Sequence, residues 1–448
     1  MEPYSDTPIV KVAVIGAGWA GCAAAVEATR LGHKVTLFEA TRTAGGRARR
    51  VDILRAGHPE VIDNGQHILI GAYAETLKLM DELGIDASTA LLRIPLSMQF
   101  ADGSGLKLPR LPAPLDALVG ICTARGWDWR DKISLLQACI DWQRGGFQCA
   151  PQQSVADLCS RVSPRIMATL IAPLCVSALN TPAERASAQV FLRVMRDALF
   201  SGSGGSNLLL PRVDLGTLLP DAALDWLKIN GAVVCLSSRV RSIKPADSRG
   251  AAWSLEGGAG GSEQCHGEFD QVVIACPSAE AARLAGHCTP PGDRWVALAS
   301  GLEHEAITTV YAVSQGARLS QPMLALHSSA EHPAQFVFDR GQLGGPTGLL
   351  AFVVSASVGD KATVTAQVLA QAATQLDLTR MHDVRTIVEK RATFACTPGL
   401  QRPGINIAPG LLACGDYVDG PYPATLEGAV RSGLAAARQL NQSSFATD

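Results

Sequence analysis

Gly16, Gly18 and Gly21 stand in the run Val12-Ala-Val-Ile-Gly16-Ala17-Gly18-Trp19-Ala20-Gly21, and Glu39 follows a second apolar run over 34–38. This spacing suits a chain that grips two linked phosphates and a ribose. Gly16 permits a tight turn after a buried strand over 12–15. Gly18 lets the backbone reach a pyrophosphate, and Gly21 lets the next helix pack closely on the strand. The helix start at Trp19 and Ala20 aims unpaired N–H groups and a positive dipole end at phosphate charge. Glu39 sits eighteen residues beyond Gly21, where its carboxylate can accept from both hydroxyls of an adenosine ribose. A further loop, Gly45-Gly46-Arg47, offers backbone donors and a fixed cation for the flavin end of a longer cofactor, so the expected dinucleotide is FAD rather than NAD. A solvated basic turn is the competing reading of that loop, since Arg42, Arg47, Arg49 and Arg50 cluster there.

Two more segments belong to the same sheet. Phe269-Asp-Gln-Val-Val-Ile-Ala-Cys276-Pro277 reads as a buried parallel strand ending in a proline turn. Ligands of open α/β sheets sit beyond the carboxyl ends of strands, so this turn is placed to line the cofactor. Gly410-Leu-Leu-Ala-Cys-Gly415-Asp416 is another strand, ending at glycine and aspartate. After a short loop, Tyr422-Pro-Ala-Thr425-Leu426-Glu-Gly428 opens a helix running to about residue 440. Asp416 can accept from a ribityl chain or bind pyrophosphate through water. The helix N-terminus at Thr425 and Leu426 would face the flavin N1 and C2 carbonyl, where charge gathers on reduction.

Bulk properties narrow the function classes. With 448 residues the chain can hold two domains with substantial cores. Its net charge of −2 gives no electrostatic reason to bind nucleic acid. The twelve cysteines show no CxxC and no pairing with histidine at metal spacing; Cys265-His266 and His287-Cys288 are adjacent pairs that suit no common zinc geometry. No metal is expected, and the thiols read as small apolar groups in a reducing cytoplasm. Glu2 and Asp6 stand where an export signal would be basic, and no apolar run is long enough to span a bilayer.

The organisation reads as discontinuous. A proline-punctuated, apolar, helical region is expected over about 95–200, including Leu111-Pro-Ala-Pro-Leu-Asp-Ala-Leu-Val-Gly-Ile-Cys122, with Ser201-Gly-Ser-Gly-Gly-Ser206 as its exit. Helix, turn and strand follow over 224–236, leading to a β-rich piece at Arg239-Val240. A hairpin comes next, with its tip at Gly257–Gly261; no helix follows those glycines, so a second phosphate loop is not expected. From about 290 to 395 alternation predicts a second sheet facing the substrate, with a helix near 363–375.

Together, Glu39 with Gly45-Gly46-Arg47, the Arg239-Val240 strand, Ala275-Cys276-Pro277 and Cys414-Gly415-Asp416…Leu426-Glu427-Gly428-Ala429 resemble the FAD-dependent amine oxidase and carotenoid desaturase superfamily over nearly the whole chain. The stretch Asp63-Asn-Gly65-Gln66-His67-Ile-Leu-Ile-Gly-Ala-Tyr73 resembles the segment that phytoene-type desaturases place beside the flavin. With the 201–211 run and the Tyr422–Gly428 run, the pattern is most similar to the hydroxysqualene dehydroxylases, FAD enzymes of bacterial hopanoid pathways. The resemblance implies an α/β fold: a Rossmann-like, GR2-type FAD-binding domain (1–90, 212–290 and 400–448) with an inserted α+β substrate-binding domain (91–211 and 291–399). It implies FAD contacts at Val240, Cys276, Gly65, Gln66 and His67 besides those read from spacing. The implied reaction is reductive removal of the hydroxyl of hydroxysqualene by hydride from reduced flavin. A carotenoid desaturase would share almost every motif and run the flavin the other way. An amine oxidase fits less well, since many use a lysine near flavin N5 and none occurs here between Lys244 and Lys361. A non-catalytic prenyl-lipid carrier need not keep all three cofactor segments.

Such chemistry needs an acid for the departing oxygen and a dry channel for the chain. His67 is the first candidate for proton delivery, with a structural histidine as the alternative. Asp63 could act there, cap a turn or fix Arg47, and Tyr422 reads as pocket wall before acid. Only one dinucleotide fingerprint exists, so reduction falls to an external electron donor. A C30 polyene already rests in lipid, so the expected location is the inner face of the cytoplasmic membrane, with docking through the 111–122 region.

Overall fold

The computed structural model describes residues 9–55, 57–200, 204–246, 252–257, 264–286 and 293–440. The glycine run at 258–261, residues 201–203 of the glycine-serine stretch, the His287-Cys288 pair, and Glu2 and Asp6 lie outside the described residues.

Strand Lys11–Ile15 lies at the centre of a six-stranded sheet. It is flanked in parallel by Lys34–Phe38 and Gln271–Ile274. Val233–Cys235 extends the first side; Leu411–Ala413 and then antiparallel Asn406–Ala408 extend the second. Both faces are covered, which is why these strands read as unbroken apolar runs rather than alternating ones. The period of two still decides which face each residue serves. Val12, Val14, Leu37, Val273 and Leu412 pack beneath the helices, while Ala13, Ile15, Phe38, Ile274 and Ala413 look the other way. That second face meets the antiparallel sheet of Val240–Pro245, Trp253–Gly257 and Gln264–Phe269 through Ile243, Leu255 and Phe269.

Helix Trp19–Arg30 packs against the last helix, Leu426–Gln439, at backbone distance. A Cβ on Gly433 would lie 2.2 Å from the Ala20 carbonyl oxygen, so only glycine permits the approach. Head and tail of the described chain are thereby locked face to face.

A second, five-stranded sheet runs Met323–Ala325, Phe336–Asp339, Leu349–Ser355, His304–Val313, His382–Phe394, all antiparallel. Along His304–Val313, Val310 and Ala312 pack on Val364, Val368 and Ala372 of helix Lys361–Leu376. Thr309 and Tyr311 therefore point to the opposite face.

The region expected to be helical, about 95–200, is helical only in part. Helices Leu115–Thr123, Trp129–Arg144, Ala172–Leu179 and Ala188–Phe200 are present, but strands Leu91–Ile94, Ser97–Gln99 and Gly105–Lys107 precede them. Leu208–Pro211 bonds both Leu69–Ile70 and Leu91–Ile94, so this short β layer depends on pairing across more than a hundred residues and leaves little local periodicity. A hairpin of Arg50–Arg55 with His58–Asp63 also escaped the sequence reading. No helix among the described residues is long and apolar enough to cross a membrane.

Candidate active site

The glycine turn has the geometry its residue types require. Gly16 has φ +111°, and a Cβ there would meet the Ala275 carbonyl oxygen at 2.8 Å. A Cβ on Gly21 would lie 1.8 Å from the Gly16 carbonyl oxygen. Gly18 differs: its Cβ would meet nothing within 4 Å. No side chain caps helix Trp19–Arg30, so its first-turn N–H groups face that open space uncommitted. This combination of vacant room, free donors and a helix dipole fits a pyrophosphate.

Glu39 lies beside the turn. Its carboxylate accepts from Ala17 N–H at 2.9 Å and from Thr41 N–H and hydroxyl at 2.8 Å each, leaving a lone pair on Oε2 for a ribose hydroxyl. Ser238 N–H donates 2.8 Å to the Glu39 carbonyl oxygen, which brings the start of the Val240 strand to the same place. Gly45 N–H bonds the Ala17 carbonyl at 2.8 Å, so the Gly45–Arg47 loop stacks on the glycine turn. Cys276 is half-buried, its thiol donating to the Ile15 carbonyl oxygen at 3.2 Å.

Arg47 is fixed by Asp416, not by Asp63. Its guanidinium pairs with the Asp416 carboxylate and donates 2.6 Å to the Ala392 carbonyl oxygen on the second sheet. Asp63 is committed elsewhere because its strand end turns toward helix Leu215–Leu218. It accepts from Leu215 N–H at 2.8 Å and faces Arg340 at 3.9 Å, and burial pushes its carboxyl up to about 6 against both of those partners. Arg340 also donates to Gln66 Oε1 at 3.2 Å, orienting that side chain. Trp19 is buried and donates from its indole nitrogen to the Ala48 carbonyl oxygen.

His67 Nδ1 lies 2.8 Å from the Gly65 carbonyl oxygen. A carbonyl brings no proton, so Nδ1 is the donor and the neutral ring keeps its lone pair on Nε2. Burial lowers its pKa below the ordinary histidine value; the Gly65 bond opposes this and the Arg47 charge reinforces it. Close by stands a residue that sequence reading missed. Thr309 is 1% exposed, and its hydroxyl has no hydrogen-bond partner among the described residues. Both Thr309 Oγ1 and His67 Cε1 lie 3.7 Å from the point where a Cβ on Gly65 would stand. Tyr311, two residues on, anchors the juxtaposition by donating 2.9 Å to the Asp63 carbonyl oxygen. A buried hydroxyl without a partner is costly, and a polar group entering beside Gly65 would satisfy it.

Tyr422 has contacts of its own, and none of them is with His67, Asp63 or Thr309 among the described residues. Its ring meets Tyr73 edge-on at 6.2 Å and lies under Arg431, and burial followed by the Asp197 charge pushes its phenol up to about 12. Thr425 caps helix Leu426–Gln439 by accepting from Gly428 N–H at 3.0 Å, leaving Leu426 as its first residue.

The α/β architecture, glycine turn, acidic strand end and three convergent cofactor segments define a flavin-binding oxidoreductase. A family model described as flavin containing amine oxidoreductase matches residues 19–441, and the chain belongs to that family. It is therefore an FAD-dependent oxidoreductase, a Rossmann-like FAD-binding domain carrying an inserted substrate domain. The chain is 29% identical to hydroxysqualene dehydroxylase of Rhodopseudomonas palustris, over 95% of its own length and 97% of that protein's. Identity to the Zymomonas mobilis protein of the same name is 26%, with the same coverage. A zeta-carotene desaturase of Synechocystis is 32% identical over only 28% of this chain. Among solved structures, an oxidoreductase from Methanosarcina mazei superposes with a TM-score of 0.71 at 16% identity, covering 96% of this chain and 100% of that one. Putrescine oxidase bound to putrescine gives 0.64 at 16% identity, covering 97% and 99%.

Proposed function

We propose that this enzyme removes the allylic hydroxyl of a long isoprenoid, hydroxysqualene, and replaces it with hydrogen to give squalene. The carrying observation is the extent of the likeness: the dehydroxylase relatives align over 95% of the chain, the desaturase over 28%. In the balanced reaction the C–O bond breaks, the oxygen leaves as water with one added proton, and a hydride completes the new C–H bond. Reduced FAD, when bound, supplies that hydride. The residues that would hold it are the Gly16–Gly21 turn, Glu39, the Gly45–Arg47 loop, Asp416 and the helix start at Thr425.

This chain's own side chains attend to the oxygen. Thr309 Oγ1 donates to the substrate hydroxyl, satisfying its otherwise partnerless group. His67 delivers the proton from Nε2. The burial that lowers its pKa also makes its imidazolium a stronger acid than free histidine, which suits donation to a poor leaving group. Gly65 leaves space between the two. Tyr311 and Arg340 hold the Asp63–His67 segment in place. The amine-oxidase reading lacks support from a lysine in this strand, since none occurs between Lys244 and Lys361.

The test is single-turnover incubation of anaerobically reduced enzyme with hydroxysqualene, with products identified by mass spectrometry. Squalene is expected, with a rate that climbs as pH falls through a value below 6.5. Absence of squalene, with oxidised enzyme desaturating phytoene-type polyenes instead, would overturn the proposal in favour of a desaturase.

A further inference from the structure

The large apolar side chains left exposed are not scattered evenly. Seven of them, Leu111, Leu115, Leu118, Val119, Trp129, Ile133 and Ile140, fall between residues 111 and 140. Of the others among the described residues, Ile229, Val233 and Leu236 form a smaller group and the rest lie elsewhere along the chain. On helix Leu115–Thr123 the exposed apolar positions recur at 115, 118, 119 and 122; on helix Trp129–Arg144 they are 129, 133 and 140, with the polar Gln137 between the last two. Each helix thus turns one apolar stripe toward solvent. The two helices are joined where Lys132 donates to the Cys122 carbonyl oxygen at 2.8 Å while lying over the Trp129 ring, so the stripes share one crest. Trp129 stands 68% exposed on it.

Charge around the crest is predominantly positive. Lys107, Arg110, Arg125, Arg130 and Arg144 are exposed, and none has a salt-bridge partner among the described residues. Asp116 and Asp131 are buried; Asp128 and Asp141 are the exposed acids between 107 and 144. The whole chain carries −2, so this local excess of cations runs against the overall balance. Lys107 and Arg125 flank an open cleft of about 410 Å³ between strand Gly105–Lys107 and the end of helix Leu115–Thr123.

We propose that this crest docks on an anionic lipid bilayer, with the apolar stripes entering the headgroup–acyl boundary and the cleft between Lys107 and Arg125 receiving a lipid phosphate. A protein partner would need shape and matched acids; a bilayer needs what is present, an apolar helical face, an interfacial tryptophan and a border of unpaired cations. The link to catalysis rests on the proposed isoprenoid substrate, which would pass from lipid to enzyme without crossing water. The docking itself does not.

Flotation of the full-length holoenzyme tests it, with phosphatidylcholine vesicles with and without phosphatidylglycerol. Wild type is expected to float with the anionic vesicles and to detach with salt. Leu115→Ser, Trp129→Ser and Ile133→Ser lie at exposed sites, and each should weaken binding about tenfold. Lys107→Gln with Arg125→Gln should remove most of the preference for phosphatidylglycerol. The proposal is overturned if wild type stays soluble with both vesicles, if the serine variants float like wild type, or if light scattering shows that they dissociate a dimer that never bound lipid. Flotation without squalene formation would defeat the proposed reaction and leave the docking intact.

Discussion

Substituting alanine for each glycine of the phosphate turn should separate folding from cofactor binding. Gly18 has φ −73° and ψ 177°, an extended conformation open to any residue, and its Cβ would meet no heavy atom within 4 Å. Gly18→Ala should therefore leave the apoprotein as stable as wild type, or more stable by about 0.4–1 kcal/mol through the unfolded chain's lost freedom. The methyl group would occupy the room a pyrophosphate needs. Losing one or two charge-assisted bonds at about 1.5 kcal/mol each should raise the Kd for FAD by roughly ten- to a hundredfold. Gly21→Ala is different, because its Cβ would lie 1.8 Å from a backbone oxygen and the helix would have to move. A cost of about 3 kcal/mol is expected for that overpacking. Gly16→Ala combines a positive φ of +111° with a 2.8 Å contact to the Ala275 carbonyl oxygen and should cost about as much. Urea unfolding of deflavinated protein, with flavin-fluorescence titration, measures both quantities. Unaltered FAD affinity in Gly18→Ala would refute the placement of the pyrophosphate; unfolding as severe as that of Gly21→Ala would refute the open space.

Thr309→Val keeps the shape and removes the partnerless hydroxyl, so stability should hold or rise by about 1 kcal/mol while turnover falls at least about tenfold; a rate equal to wild type in single-turnover assays would remove Thr309 from the site. Asp63 provides a pH signature. Its folded carboxyl, at about 6, lies above its ordinary 3.8, so its stabilising contribution is whole below about pH 3.8 and is lost as pH rises through about 6, some 3 kcal/mol in all. Asp63→Asn keeps an acceptor for Leu215 N–H and should flatten the urea midpoint across that window; an unchanged slope would show that another group is responsible. Asp416→Asn weakens the half-buried pair with Arg47 and should lower stability by about 2 kcal/mol and speed FAD release, with retention of the yellow cofactor through gel filtration as the check.

What could be read from residue types was whatever chain-local physics demands. The glycine turn, Glu39 and the strand at Gly410–Asp416 each carry their signal in residue types a few positions apart, so spacing exposed them although their contacts are distant. Arg47 could not be paired correctly, since Asp416 is 369 residues away and Asp63 looked equally available. Arg340 meets Gln66 across 274 residues with no local trace. Thr309 is an ordinary strand residue until strand His304–Val313 is laid against Gly65. Alternation with Tyr311 was the available signal, because residues two apart share a face. Strand Leu91–Ile94 was hidden for a related reason, since its partner Leu208–Pro211 lies far along the chain; Ser97–Gln99 and Gly105–Lys107 pair with each other but are only three residues each, too short to show a period.

The strand order also has a consequence for synthesis. Gln271–Ile274 finds its first neighbour, Lys11–Ile15, soon after leaving the ribosome, but its other edge stays bare until Leu411–Ala413 emerges, after the entire second sheet. A nascent chain thus carries an unpaired apolar edge through much of translation. It cannot close around its flavin until the segment with Asp416 and Thr425 has been made, so cofactor capture must follow the emergence of that segment.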